Sequence, residues 1–166
     1  MKAIKARALI DGNGGVIRNP VVIVDGDRIK KVGPAGKVSI PKRAEVIDAK
    51  RCTLLPGMMD LHIHLSMFNN RTFNNYRVAQ WEVTPELQQM YSLFHAQLCF
   101  EMGFTTLRDL GLTSTRGLLT EEMCAVRKSI DAGIFPGPRL LVAGWTYITS
   151  SHLELVLPRA ALRPGF

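Results

Sequence analysis

Two histidines separated by one residue, His62 and His64, are the side chains best placed for chemistry. A strand sends residues i and i+2 to the same face. Two imidazoles at that spacing can therefore close on one metal ion. Histidine is the commonest metal ligand, and a catalytic zinc takes about three protein ligands plus water. The pair supplies two. The plainer alternative is two satisfied interior histidines, but the lead-in Pro56-Gly57-Met58-Met59-Asp60-Leu61 favours ligands. Strand parity also sends Leu61, Ile63 and Leu65 to the opposite face, as in a strand covered by helices. The same parity places Asp60 and Met58 on the histidine side. Asp60 is then a candidate to hydrogen-bond a ligand or orient the strand end, with a structural buried carboxylate as the alternative.

Other polar residues carry weaker signals. His95 falls in the middle of a predicted helix, where a surface or core role without chemistry is expected. Arg108 and Asp109 end a predicted strand, with Asp109 on the side of Thr105 and Leu107 and Arg108 opposite. A local ion pair or helix cap is expected there rather than catalysis. His152 follows a third strand, in Thr149-Ser150-Ser151-His152. In parallel α/β proteins the loops at the C-terminal strand ends build the active site. His152 is thus a candidate substrate contact, although a plain loop residue is the favoured reading.

The elements that must position these residues can be read along the chain. Residues 3–10 form a strand, and Val21–Val24 and Arg28–Val32 flank Asp25-Gly26, a tight-hairpin signal. Glu45–Ala49 is a further short strand. At Pro56 the pattern changes. The histidine strand comes first, then a polar loop. Thr84 is a good N-cap and Pro85 a good first helical residue. A helix runs from there to about Met102 and stops at Gly103. Phe104–Leu110 is a strand, 117–132 a helix closed by Gly133, and Arg139 to about Thr146 a third strand. Alternation of strand and helix predicts a parallel βαβαβ unit. The expected division is 1–55, an incomplete all-β segment, and 56–166, the α/β part.

Composition bounds the function. At 166 residues and 46% hydrophobic content the chain suits a globular protein. Its apolar runs are too short to span a membrane, and the N-terminus lacks a signal-peptide core. Three scattered cysteines, Cys52, Cys99 and Cys124, fit a reducing compartment rather than a disulfide framework, so a cytoplasmic protein is expected. Net charge is +7, and all of it lies in residues 1–51, which hold 12 Lys/Arg against 5 Asp/Glu. Those charges are spread over strands and turns with no recognition helix or stacking motif. Neither nucleic acid nor membrane is expected as a partner.

The run Pro56-Gly57-Met58-Met59-Asp60-Leu61-His62-Ile63-His64 resembles the first-strand motif of the amidohydrolase superfamily. Asp25-Gly26-Asp27-Arg28-Ile29 and Ile47-Asp48-Ala49 are similar to that family's small β-sandwich. Gly103-Phe104-Thr105-Thr106-Leu107-Arg108-Asp109-Leu110-Gly111, Ile130-Asp131-Ala132-Gly133 and Pro136-Gly137-Pro138-Arg139 resemble its prolidase-like and imidazolonepropionase-like branch. The resemblance implies the N-terminal part of a (β/α)8 TIM barrel preceded by a β-sandwich segment. It implies one or two divalent metal ions, zinc first among them, with His62 and His64 as first-strand ligands. The metal would activate water to attack an amide, cyclic amide or dipeptide substrate. The family's remaining ligands and its proton-shuttle aspartate come from later strands, so they are expected beyond residue 166. Branch members carry Gly-Gly-His-Gly where this chain has Ser150-Ser151-His152-Leu153.

A full barrel takes about 250 residues, and only 56–166 follow the β segment here. The expectation is the N-terminal portion of a metal-dependent C–N hydrolase, inactive alone, and compatible with a homo-oligomer. The alternative is a truncated, non-catalytic metal-binding or interaction module.

Overall fold

The computed structural model describes residues 1–66, 83–110 and 120–143. The chain divides into two compact units, Met1–Pro56 and Gly57–Phe166.

The first unit is all-β. Strand β1 (Lys2–Ile10) is its centre and pairs with β2 (Val16–Arg18), β3 (Pro20–Asp25) and β5 (Glu45–Leu54), while β4 (Arg28–Pro34) adds to β3. The expected hairpin forms, but Asp25 pairs with Arg28, so its two-residue loop is Gly26-Asp27, one residue later than the Asp25-Gly26 signal. Two features exceed the sequence expectation. β2 has only three residues, too few for alternation to register. β5 runs ten residues, although Asp48, Lys50 and Arg51 are poor strand formers. Parallel pairing of β5 with β1 from Lys2–Glu45 to Leu9–Leu54 overrides that local preference. Ala3, Val21, Ile23 and Val38 form a core, flanked by Ile40 and Ala44. Val16, Ile29 and Val46 stay exposed, a thin core of the kind expected for so short a unit.

The second unit alternates as expected: β6 (Met58–Ile63), α1 (Pro85–Glu101), β7 (Phe104–Asp109), α2 (Thr120–Asp131) and β8 (Arg139–Val142). The strands form one parallel sheet in the order β6-β7-β8. The Thr84 side chain accepts the Leu87 N–H at 3.4 Å, and Glu86 lies in the first turn of α1, where a negative charge suits the helix dipole. The helix ends where Gly103 takes a φ of 94°, a conformation that glycine adopts without a Cβ penalty.

Helix α1 packs on β7, α2 on β8, and the helices on each other. Leu65, Ala96, Leu107, Met123, Val126 and Leu140 form the core between these layers, with Ile63 and Cys99 against it. The chain enters β6 tightly against β7: a Cβ on Gly57 would run into the Thr105 side chain. The expected extension of the third strand to Thr146 falls outside the described residues, as does His152. No helix of the described residues is long and apolar enough to cross a membrane.

Candidate metal centre

The local geometry of His62 and His64 departs from a plain strand. The ladder pairs Asp60 with Leu107 and Ile63 with Asp109. Leu61 and His62 therefore oppose the single residue Arg108, which is a β-bulge. Partners in a parallel ladder face the same side, so Asp60 and Ile63 lie on the covered side with Leu107 and Asp109. His62 and His64 flank Ile63 and face away. The expectation that Asp60 shares the histidine face is thus corrected: one extra residue between Asp60 and His62 reverses their alternation.

A bulge takes backbone groups out of the ladder, and unpaired backbone groups are costly when shielded from water. Two side chains replace those lost bonds. Asp60 Oδ1 accepts the His62 N–H at 3.0 Å. Arg108 Nε donates to the Leu61 carbonyl at 2.7 Å. Asp60 and Arg108 hold the bulge from its two sides.

The imidazole centroids of His62 and His64 lie 5.5 Å apart, with the rings inclined at 70°. A tetrahedral zinc about 2 Å from one nitrogen of each ring would put the centroids roughly 5 Å apart. The observed separation is close to that spacing. Among the described residues no three His, Cys, Asp or Glu side chains gather as a cage.

Burial lifts the Cys99 thiol above its usual range, and the charge of Asp60 adds to the effect. A raised pKa lowers the thiolate fraction at any given pH, and the thiolate is the nucleophile. Exposed Cys52 is expected to alkylate before Cys99 at pH 8. Asp60→Asn is expected to speed Cys99 alkylation, read by mass spectrometry of its peptide. An unchanged rate would show that the Asp60 charge does not act on Cys99.

Two residues assigned no chemistry from sequence also meet this segment. Asp109, fully buried, accepts the Leu65 N–H through Oδ1 at 2.8 Å. His95, buried on α1, places Nδ1 2.8 Å from the Leu65 carbonyl. Asp109 and Arg108 each bond neighbouring backbone, at the Leu65 N–H and the Leu61 carbonyl. No local pattern signals such contacts, because the partners lie 30 to 47 residues apart.

Comparison with known proteins follows the same lines. The model of the amidohydrolase family matches residues 53–163. The chain is 31% identical over 140 residues to 5'-deoxyadenosine deaminase of Methanothrix thermoacetophila, covering 78% of this chain and 32% of that one. It is 39% identical over 64 residues to imidazolonepropionase of Streptomyces griseus, covering 37% of this chain and 16% of the relative. A solved Xaa-Pro dipeptidase with bound methionine in its active site superposes with a TM-score of 0.72 at 29% identity, covering 87% of this chain and 33% of that chain. This chain spans about a third or less of the length of these relatives. With two-thirds of its residues inside the family match and its parallel unit superposing on a solved member, the chain belongs to the amidohydrolase family.

Proposed function

We propose that the chain supplies the first two ligands of a divalent metal, zinc first among candidates, in a hydrolase that cleaves C–N bonds of an amide, cyclic amide or dipeptide. The observation that carries this reading is the His62–His64 pair, with ring centroids 5.5 Å apart. The deaminase, imidazolonepropionase and dipeptidase names of its relatives support the bond class. A bound divalent ion supplies Lewis acidity and water activated near neutral pH. The chain's own residues present two imidazoles, and Asp60 and Arg108 fix the backbone that carries the first. In this reading a (β/α)8 barrel completes the site with further ligands and a proton-shuttle aspartate from later strands, one or two ions being held.

Turnover tests the proposal. The 166-residue chain loaded with zinc is expected to release no amine or ammonia from amide, cyclic amide or dipeptide substrates. A chain of full family length beginning with these residues is expected to do so, and to stop on His62→Ala. Zinc-dependent turnover by the 166-residue chain, lost on His62→Ala, would overturn the proposed division of the site. A full-length chain that holds zinc through both histidines yet leaves every C–N substrate intact would overturn the bond class.

A further inference from the structure

Strand β6 ends at Ile63, whose carbonyl accepts the Leu110 N–H at 2.9 Å. His64 is the first residue past the strand. The next residues are nevertheless buried, Leu65 at 2% and Ser66 at 4% exposure. Buried backbone groups need partners, and here three buried side chains provide them. Asp109 takes the Leu65 N–H at 2.8 Å. His95 Nδ1 meets the Leu65 carbonyl at 2.8 Å, and the Gln88 side-chain amide donates to the Ser66 carbonyl at 3.1 Å. A carbonyl only accepts, so the His95 proton sits on Nδ1.

Helix α1 buries Gln88, Ser92 and His95 along one face. Burying polar groups there is costly unless they are hydrogen-bonded. Gln88 and His95 reach the segment leaving β6, and Ser92 Oγ bonds the Gln88 carbonyl at 2.9 Å. The buried polar face is thus built around residues 65 and 66. Both polar groups of Leu65 are gripped, one from β7 and one from α1, one residue beyond His64.

We propose that Asp109 and His95 are positioning residues for the metal pair: they clamp the Leu65 backbone and so fix the direction in which His64 presents its imidazole. This rests on the ligand reading of His62 and His64. Neither residue touches the ion. Each acts through the main chain at Leu65.

The experiment separates the clamp from the ligands. The 166-residue chain and its variants are titrated with cobalt(II), followed by visible absorption, and Leu65 amide exchange is measured without metal. Asp109→Leu removes the acceptor, whereas Asp109→Asn retains an oxygen for the Leu65 N–H. His95→Phe removes the donor, and His95→Asn keeps an N–H near the Nδ1 position. Asp109→Leu and His95→Phe are expected to lower cobalt affinity by about 10- to 100-fold, the usual scale for partners that orient metal ligands, with Leu65 exchange accelerated in Asp109→Leu. The Asn variants are expected to stay within about threefold. Where the apolar variants fail to fold, His95→Gln decides, since its amide falls near Nε2 and misses the carbonyl; it is expected to bind cobalt at least about tenfold more weakly than His95→Asn.

Wild-type cobalt affinity in a folded Asp109→Leu chain whose Leu65 amide has lost protection would overturn the clamp. Equal affinities for His95→Asn and His95→Gln would overturn it as well. Cobalt binding unaffected by His62→Ala would instead sink the ligand reading, leaving the exchange data to judge the clamp itself.

Discussion

Replacing His62 or His64 by alanine is expected to lower zinc affinity by at least about 100-fold, more than the 10- to 100-fold cost of disturbing a partner that only orients a ligand. The two rings lie 5.5 Å apart, and among the described residues no third His, Cys, Asp or Glu joins them in a cage. Under the proposed ligand reading, each supplies one of the two imidazoles that hold the ion. Loss of one leaves a single imidazole, which holds zinc no better than an isolated surface histidine. Calorimetric titration with zinc checks this, with circular dichroism to confirm that the variants are folded. His62 is exposed, so its removal should leave the core untouched. An alanine variant that titrates like the parent chain would remove the pair from the metal centre.

The second large effect concerns stability. Leu107→Ala is expected to destabilise the chain by about 2.5–5 kcal/mol. Leu107 is fully buried in the central strand β7, within the cluster of Leu65, Ala96, Met123, Val126 and Leu140. Deleting its side chain loses transfer free energy and leaves a cavity among groups from both helices and all three strands, which cannot close without moving several of them. Domains of this size are stable by only about 5–15 kcal/mol, so the loss is a large fraction of the total. Urea denaturation followed by far-ultraviolet circular dichroism measures it. Leu61→Ala is the control: Leu61 is 51% exposed, and its truncation should cost no more than about 0.5 kcal/mol. A Leu107→Ala loss below about 1 kcal/mol would show that the cluster is not the core of this unit.

Much of the architecture was legible because local signals agree with it. Thr84 and Pro85 open α1, Gly103 closes it, Asp25-Gly26 marks a two-residue hairpin, and strand-helix alternation after residue 57 forecasts the parallel sheet. The proximity of the two histidine rings also follows from their spacing. The illegible features depend on partners far away in sequence. The full length of β5 rests on its ladder with β1, and β2 is too short to display a period. Strict alternation placed Asp60 beside the histidines because a bulge leaves no mark in a run such as Asp60-Leu61-His62-Ile63. His95 and Asp109 read as inert for the same reason: each contacts backbone 30 and 44 residues away. The first-strand motif nonetheless identified the family, since it combines uncommon residue types at fixed spacing.

The bulge also changes what the spacing of the motif means. Removing Leu61 on paper leaves Asp60, His62 and Ile63 opposite Leu107, Arg108 and Asp109, with no facing reversed. Leu61 is therefore a spare link, belonging to neither face, and it reads as core only because it is apolar. The motif is two short pieces joined through that link. Asp60 is registered with Met59 against Leu107 and Thr106, whereas the histidines are registered by counting back from Ile63. Small shifts in how the chain enters β6 can be absorbed at Leu61, while the imidazoles keep a reference frame set by β7 and α1.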